Sequence, residues 1–279
     1  MSKESVAKIL IYFMTPITVF WGVVKAPKGD GLWVIPLTYF VSCSLIALFV
    51  LGVLGKLFFR KQRNESHLLS FGAGNANSGY FAIPVGTAIF GEQAFPLIIL
   101  TSMGFILYEN TVGFFIAARG SFSVARSLQR VLKLPAVYSF ILGIIAANTL
   151  EPASLEKHSD FIFSIRQTYS VLGMMLIGMG LGSAKFTLTD SLKYTTWAQF
   201  SKFCIWPALA AILYKWNVYE TLGFSGNFSK LPLFTAFLPM AANTVAVAAE
   251  VGASAEKAAL AVLLSTLLCW ILLPWVMSF

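Results

Sequence analysis

The 279-residue chain is 57% hydrophobic and only 11% charged, with 20 Lys+Arg against 12 Asp+Glu, whereas about 25% of residues are charged in a typical soluble domain. Mean hydropathy is +0.76 over the whole length, which excludes a soluble enzyme, a disordered segment and a nucleic-acid-binding domain and places most of the chain in hydrocarbon. The excess of positive charge is then a matter of loop orientation, not the footprint of an acidic partner.

A bilayer core of about 30 Å needs about 20 apolar residues per helix. Interruptions by charges and turn residues define nine expected spans, at 5–24, 32–55, 68–90, 94–118, 134–150, 162–184, 196–214, 231–249 and 255–277. The runs are continuously apolar, which favours helices over a barrel. The first run follows Lys3 and Lys8 but contains Pro16 and ends without a small-x-small cleavage site, so it is expected to stay as a membrane anchor. The spans divide into a first repeat at 1–118, a basic loop at 119–133 with Arg119, Arg126, Arg130 and Lys133, and a second repeat at 134–279. That loop is read as an orientation signal that also has the charge to touch anionic lipid.

Two spans are poor membrane helices. The third carries Gly72, Gly74, Asn75, Asn77, Ser78, Gly79 and Pro84; the eighth carries Pro239, Asn243 and Thr244 at similar depth. Proline removes a backbone donor, glycine lowers helix propensity, and asparagine bonds freed backbone groups, so both spans are expected to unwind near their middles. Irregular backbone at that depth must be buried in protein or line a cavity. Paired interruptions in the two halves of a chain point to a secondary transporter built from inverted repeats, with its site where the breaks meet. Beyond each break lies a similar Glu-x-Ala helix start, with Asn-to-Glu spacings of 15 for Asn77 to Glu92 and 13 for Asn243 to Glu256.

Exposed N–H groups at a broken helix hold an anion without a buried cation. Asn75, Asn77, Ser78, Gly79, Asn243 and Thr244 are therefore the expected substrate contacts, and Pro84 and Pro239 the residues that hold the helices open. Glu109 and Asn110 lie in the fourth span, where an ionisable group is a functional hypothesis by default. Glu109 either carries a coupling proton or forms a structural pair with Lys202 or with backbone. Arg166, near the end of the sixth span, is expected to snorkel rather than to bind. Cys43, Cys204 and Cys269 read as small core hydrophobes, and His67 and His158 as solvated side chains, so no metal, disulfide or cofactor is expected. Gly178 and Gly182 have close-contact spacing, for packing within the monomer or for a homodimer face. Most Phe and Trp residues are expected to face lipid or anchor at its surface.

The segment Asn77-Ser-Gly-Tyr-Phe-Ala-Ile-Pro84 resembles the Asn-x-Gly-x-x-Gly-x-Pro signature of the auxin efflux carrier family, with Ala82 in place of the last glycine. Pro239-Met-Ala-Ala-Asn243, Leu-Leu-Ser-Thr at 263–266, Pro274, Leu134-Pro135-Ala-Val with Gly143, and Met175 to Gly182 are similar to further family segments. The resemblance covers almost the whole chain and implies the organic-anion permease branch found in bacterial inner membranes. It also implies a scaffold of spans 1, 5 and 6 and a transport unit of spans 2–4 and 7–9. The two broken helices would cross as in sodium–proton antiporters and bile-acid symporters. Family members usually have ten helices, and residues 5–24 look like the second of them, so the resemblance implies a chain without the first.

The expected function is alternating-access transport of a small organic anion coupled to a proton or sodium. Sodium-coupled bile-acid-type symport and a non-transporting receptor or assembly module with the same fold are the alternatives. No His-Glu-x-x-His, Gly-x-Ser-x-Gly or phosphate-loop motif is present, so no enzymatic or ATP-driven activity is expected. The connections on the side of the N-terminus hold 13 Lys and Arg and the opposite set 5, which predicts a cytoplasmic N-terminus and an external C-terminus. A reporter active only in the cytoplasm, fused after Phe279, is expected to be silent; a strong signal would reverse the topology or break the count of nine.

Overall fold

The computed structural model describes residues 2–26, 32–150, 157–182 and 188–278. Lys28, Lys185 and the last two residues of the expected sixth span lie outside them. The chain is 85% helical without strands among the described residues, so the backbone polar groups are satisfied within segments, as hydrocarbon requires. The helices are α1 Lys3–Val24, α2 Val34–Phe58, α3 Arg63–Gly74, α4 78–90, α5 Glu92–Ser121, α6 Val124–Leu132, α7 Pro135–Thr149, α8 Ser159–Gly182, α9 188–215, α10 Leu231–Ala236, α11 Asn243–Val251 and α12 Ala255–Ser278. Five of them (α1, α2, α5, α8 and α12) are long and apolar enough to cross a membrane, and a sixth crossing results if α6 and α7, bent by 44° at their junction, are taken together. The stretch at 188–215 is helical throughout but carries Asp190, Lys193, Gln199 and Lys202.

The expected third and eighth spans are interrupted. Helix α3 stops at Gly74 and helix resumes at Ser78; α10 stops at Ala236 and helix resumes at Asn243. Pro239 lies inside the second interruption, but Pro84 does not lie in the first. It sits in the opening turns of the helix that follows the break, two residues after a π-helical turn at Ser78–Ala82. Similar π-helical turns at Leu10–Met14 and Ser201–Ile205 precede Pro16 and Pro207. A proline cannot donate to the carbonyl one turn back, and a wider turn absorbs the mismatch. At Pro16 the carbonyl of Leu10 is taken by the Thr15 hydroxyl at 2.8 Å. Two more such turns, Leu51–Gly55 and Glu109–Gly113, end on glycine.

Packing brings the two interruptions together. Helix α3 lies against α2 and the end of α5, α7 packs along α1, and α11 and α12 pack on each other and on α8. At Gly72 a Cβ atom would stand 2.5 Å from Met240 Cε, and at Gly74 one would stand 2.6 Å from both the Cys43 carbonyl oxygen and the Tyr108 hydroxyl. These two glycines let the first half-helix approach the second break and α2. Against the expectation that most Phe and Trp residues face lipid, Phe71, Phe105, Phe114, Phe234 and Trp206 are core residues, each buried to 2% exposure or less. Cys43 and Cys269 are buried, but Cys204 is exposed; its helix turns that position outward. Gly178 and Gly182 meet nothing within 4 Å, whereas Gly180 is the close-contact glycine, 2.8 Å from Ala259 by the same measure.

The Gly74→Ala variant is expected to lose about 1–3 kcal/mol of stability, because the added methyl meets a backbone oxygen that cannot swing away. Gly79→Ala, which has open space, is expected to keep the parent Tm. Thermal unfolding of both detergent-purified variants checks the contrast.

Candidate functional site

The two interruptions are joined directly. The Asn77 N–H donates to the Pro239 carbonyl at 2.8 Å, one break bonding the other. Around that bond the polar side chains converge on one carboxylate. Glu109 Oε2 accepts from Asn75 Nδ2 at 2.7 Å, and Glu109 Oε1 accepts from Asn243 Nδ2, also at 2.7 Å. Asn243 Nδ2 donates its second proton to the Tyr169 hydroxyl, which also lies 3.1 Å from Thr15 Oγ1. Glu109 begins a π-helical turn in α5, a local widening that places its carboxyl against both breaks. A carboxylate accepting from two amides inside the bundle satisfies three groups that would otherwise each be costly to bury.

The C-terminal end of α3 is closed by three side chains. Tyr108 Oη donates to the Phe71 carbonyl at 3.1 Å, Trp206 Nε1 to the Ala73 carbonyl at 2.7 Å, and Lys202 Nζ to the Asn75 carbonyl at 2.9 Å. The last carbonyls of a helix have no intrahelical donors and carry its negative dipole end, so a cation there is favourable. Lys202 is fully buried and its ammonium also lies 5.0 Å from the Trp206 ring centroid. Glu109 and Lys202 do not pair; Asn75 stands between them, its amide on the carboxylate and its carbonyl on the ammonium.

A cavity of about 80 Å³ opens beside the two breaks, lined by Asn77, Ser78, Gly79, Glu109, Asn110 and Asn243 and by Thr15, Thr18, Arg166 and Tyr169. It has room for roughly five waters or one small carboxylate. A second cavity, of about 310 Å³, shares Thr18, Gly79, Ile106 and Arg166 with the first and reaches Trp21 and Lys25 at the far end of α1. Arg166 therefore does not simply snorkel. It lines both spaces, and no hydrogen-bond or ion-pair partner holds its guanidinium among the described residues. At the opposite end of the bundle, ion pairs join α1 to α12 (Lys3–Glu256, 2.7 Å), α6 to α11 (Arg130–Glu250, 3.3 Å) and α3 to α12 (Lys257–Glu65).

Not every residue expected at the site reaches the cavity. Asn75 is fully buried behind it, with Oδ1 accepting from the Ala76 N–H at 2.9 Å. Thr244 is fully buried against Gly72. Lys202 and the two prolines also lie outside the lining. Tyr169, Thr15 and Thr18 were not expected there: a tyrosine or threonine within an apolar run gives no signal in the sequence, because only the fold shows which face it presents. His67 is half-buried, its Nδ1 2.8 Å from the Ile116 carbonyl, rather than solvated.

No protein-family model matches the chain. It is 22% identical over 257 residues to an uncharacterized transporter of Methanocaldococcus jannaschii, spanning 87% of this chain and 80% of that one. It is 23% identical over 273 residues to an uncharacterized transporter of Methanothermobacter thermautotrophicus, spanning 96% and 85%. Likeness over most of both lengths, with the apolar helices, supports an integral membrane protein of the transporter kind.

The Lys202→Met variant is expected to lose about 2 kcal/mol, since it strips a charged donor from a buried carbonyl. Lys202→Met should therefore melt below both the parent and Cys204→Ser, an exposed change on the same turn. An unchanged Tm would show that the Asn75 carbonyl finds another donor.

Proposed function

We propose that the protein is a secondary transporter that moves a small organic anion, a carboxylate, by alternating access, with the substrate held where α4 and α11 begin. The observation that carries this reading is that two helix N-termini open on one polar cavity together with a guanidinium that has no partner among the described residues. Each N-terminus presents N–H groups without intrahelical acceptors and roughly half a positive charge. The Ser78 N–H already donates to the Ala76 carbonyl, and the Thr244 and Val245 N–H groups to the Ala241 and Ala242 carbonyls, so a carboxylate in the cavity would accept from the Gly79 and Asn243 N–H groups and pair with Arg166. On this reading α3 with α4, and α10 with α11, each make one interrupted crossing, which gives nine spans in a four-plus-five inverted repeat. The resemblance to the auxin efflux carrier family supports the same assignment, with α1, α7 and α8 as scaffold and the remaining spans as the moving unit.

Glu109 is the coupling group in this scheme. As an anion it opposes a second negative charge nearby; a proton on it removes that repulsion while both asparagines keep a carboxyl oxygen to bond. Binding is then tighter as pH falls. Sodium-coupled symport is less well supported, because the Lys202 ammonium already occupies the carbonyl end of α3, where unwound backbone would otherwise serve a coupling ion.

A thermal-shift screen of the purified protein against mono- and dicarboxylates, in sodium chloride and in choline chloride at two pH values, tests the reading. A carboxylate is expected to stabilise the protein equally in both salts and more at the lower pH. Arg166→Gln is expected to weaken that ligand at least roughly tenfold, Asn77→Ala to weaken it as well, and Glu109→Gln to remove the pH dependence. Unchanged affinity in a folded Arg166→Gln protein would overturn the anion assignment, and a strict sodium requirement would favour the symporter.

A further inference from the structure

Helix α6 is placed by features unrelated to the central cavity. Ser123 caps its N-terminus, with Oγ accepting from the Arg126 N–H at 3.4 Å. Ser127 and Val131 pack inward, while Val124, Leu128 and Leu132 stay 57%, 51% and 54% exposed. Those three are spaced four apart and form one apolar stripe; Arg126, Arg130 and Lys133, at the complementary spacing, form a cationic face on the other side of the helix. The bend of 44° into α7 turns α6 away from the direction of the crossing helix. An amphipathic helix at the end of a membrane span, apolar on one face and basic on the other, is suited to the membrane interface.

The cationic face also borders a cavity of about 340 Å³, lined by Tyr12, Arg126, Gln129, Arg130, Lys133 and Glu250. Its one carboxylate is already engaged: Glu250 Oε1 accepts from the Tyr12 hydroxyl at 2.9 Å and lies 3.3 Å from the Arg130 guanidinium, which also stacks 3.9 Å from the Phe122 ring centroid. Arg126 and Lys133 have no side-chain partner among the described residues. The cavity thus keeps two uncompensated cations beside a helix whose opposite face suits acyl chains.

We propose that this cavity binds the phosphate headgroup of an anionic membrane lipid, with Arg126 and Lys133 as the charge partners. A ligand that is anionic at one end and apolar at the other matches both faces of α6, whereas a soluble phosphate matches only the cationic one. Basic pockets between membrane helices recognise lipid headgroups on these terms, each Lys or Arg near the surface contributing severalfold in affinity. Glu250 closes α11, so an occupied site also bears on the second broken helix.

The test is a thermal-shift titration of the detergent-purified chain with phosphatidylglycerol, phosphatidylcholine and inorganic phosphate. Phosphatidylglycerol is expected to raise the Tm with saturation, and neither of the other two to do so. The double variant Arg126→Gln with Lys133→Gln is expected to need roughly tenfold more phosphatidylglycerol for the same shift. Arg60→Gln with Lys61→Gln, which removes two exposed charges from the α2–α3 turn, is expected to leave the titration unchanged. An unaltered response in the first variant, an equal loss in the second, or equal stabilisation by inorganic phosphate would each overturn the assignment.

Discussion

One carboxylate sets the terms for the centre of this protein. Two helices stop inside the bundle, and each stop strands backbone donors and acceptors that hydrocarbon cannot satisfy. Glu109 accepts an amide from each side, Asn75 at the first break and Asn243 at the second, while the Asn77 N–H and the Pro239 carbonyl tie the breaks by backbone. Remove the carboxylate and two amides lose their acceptor together. That cost is shared by residues 34 and 134 positions away from it in sequence, so the central arrangement forms as a unit once α5, α3 and α11 are in place.

The two breaks are not stabilised alike. The carbonyl end of α3 is closed by a tyrosine, an indole and an ammonium, the latter two from α9, whereas the interruption after α10 has its Met240 N–H capped by the Ser265 hydroxyl at 3.0 Å. A buried ammonium is tolerable because the helix end facing it is the negative one and carbonyl oxygens supply its solvation. The first break is thereby anchored to α9 by charge and the second to α12 by a neutral hydrogen bond.

The interruptions were legible in the sequence because Gly, Asn and Pro each fail as helix residues for a local reason, and local reasons survive without a fold. Even so, Pro84 reads as the breaker while the chain breaks before it: a proline constrains the turn N-terminal to itself, and the π-helical turn at Ser78–Ala82 absorbs that constraint. Glu109 was conspicuous as a charge in an apolar run, but its partners were not. Pairing it with Lys202 followed from opposite sign and similar depth, and depth says nothing about azimuth; only the packing of α3 between α5 and α9 puts Asn75 in the path. Arg166 was read by the general rule that an arginine near a span end reaches for water, and that rule gives no sign of the two cavities it lines here.

The two cavities beside the breaks and the ion pairs lie toward opposite ends of α1. Beside the Asn77–Asn243 cavity, a second cavity that shares lining residues with it reaches Trp21 and Lys25, the far end of α1, while Lys3–Glu256, Arg130–Glu250 and Lys257–Glu65 tie helices together at the near end. Ion pairs that are partly exposed contribute little each, typically under about 1 kcal/mol, and break readily. That modest strength is what a proposed alternating-access cycle asks of a closed side: enough to favour closure when three act together, too little to hold it against a substrate-driven shift of a few kcal/mol. Two of the pairs tie α12, and the third ties the C-terminal end of α11, the same hairpin that supplies Asn243 to the cavity. Under the proposed cycle, movement of that hairpin would loosen the near end and rearrange the Asn243–Glu109 bond in one step. Access and binding are then coupled through a single structural element, and no separate signal has to pass between them.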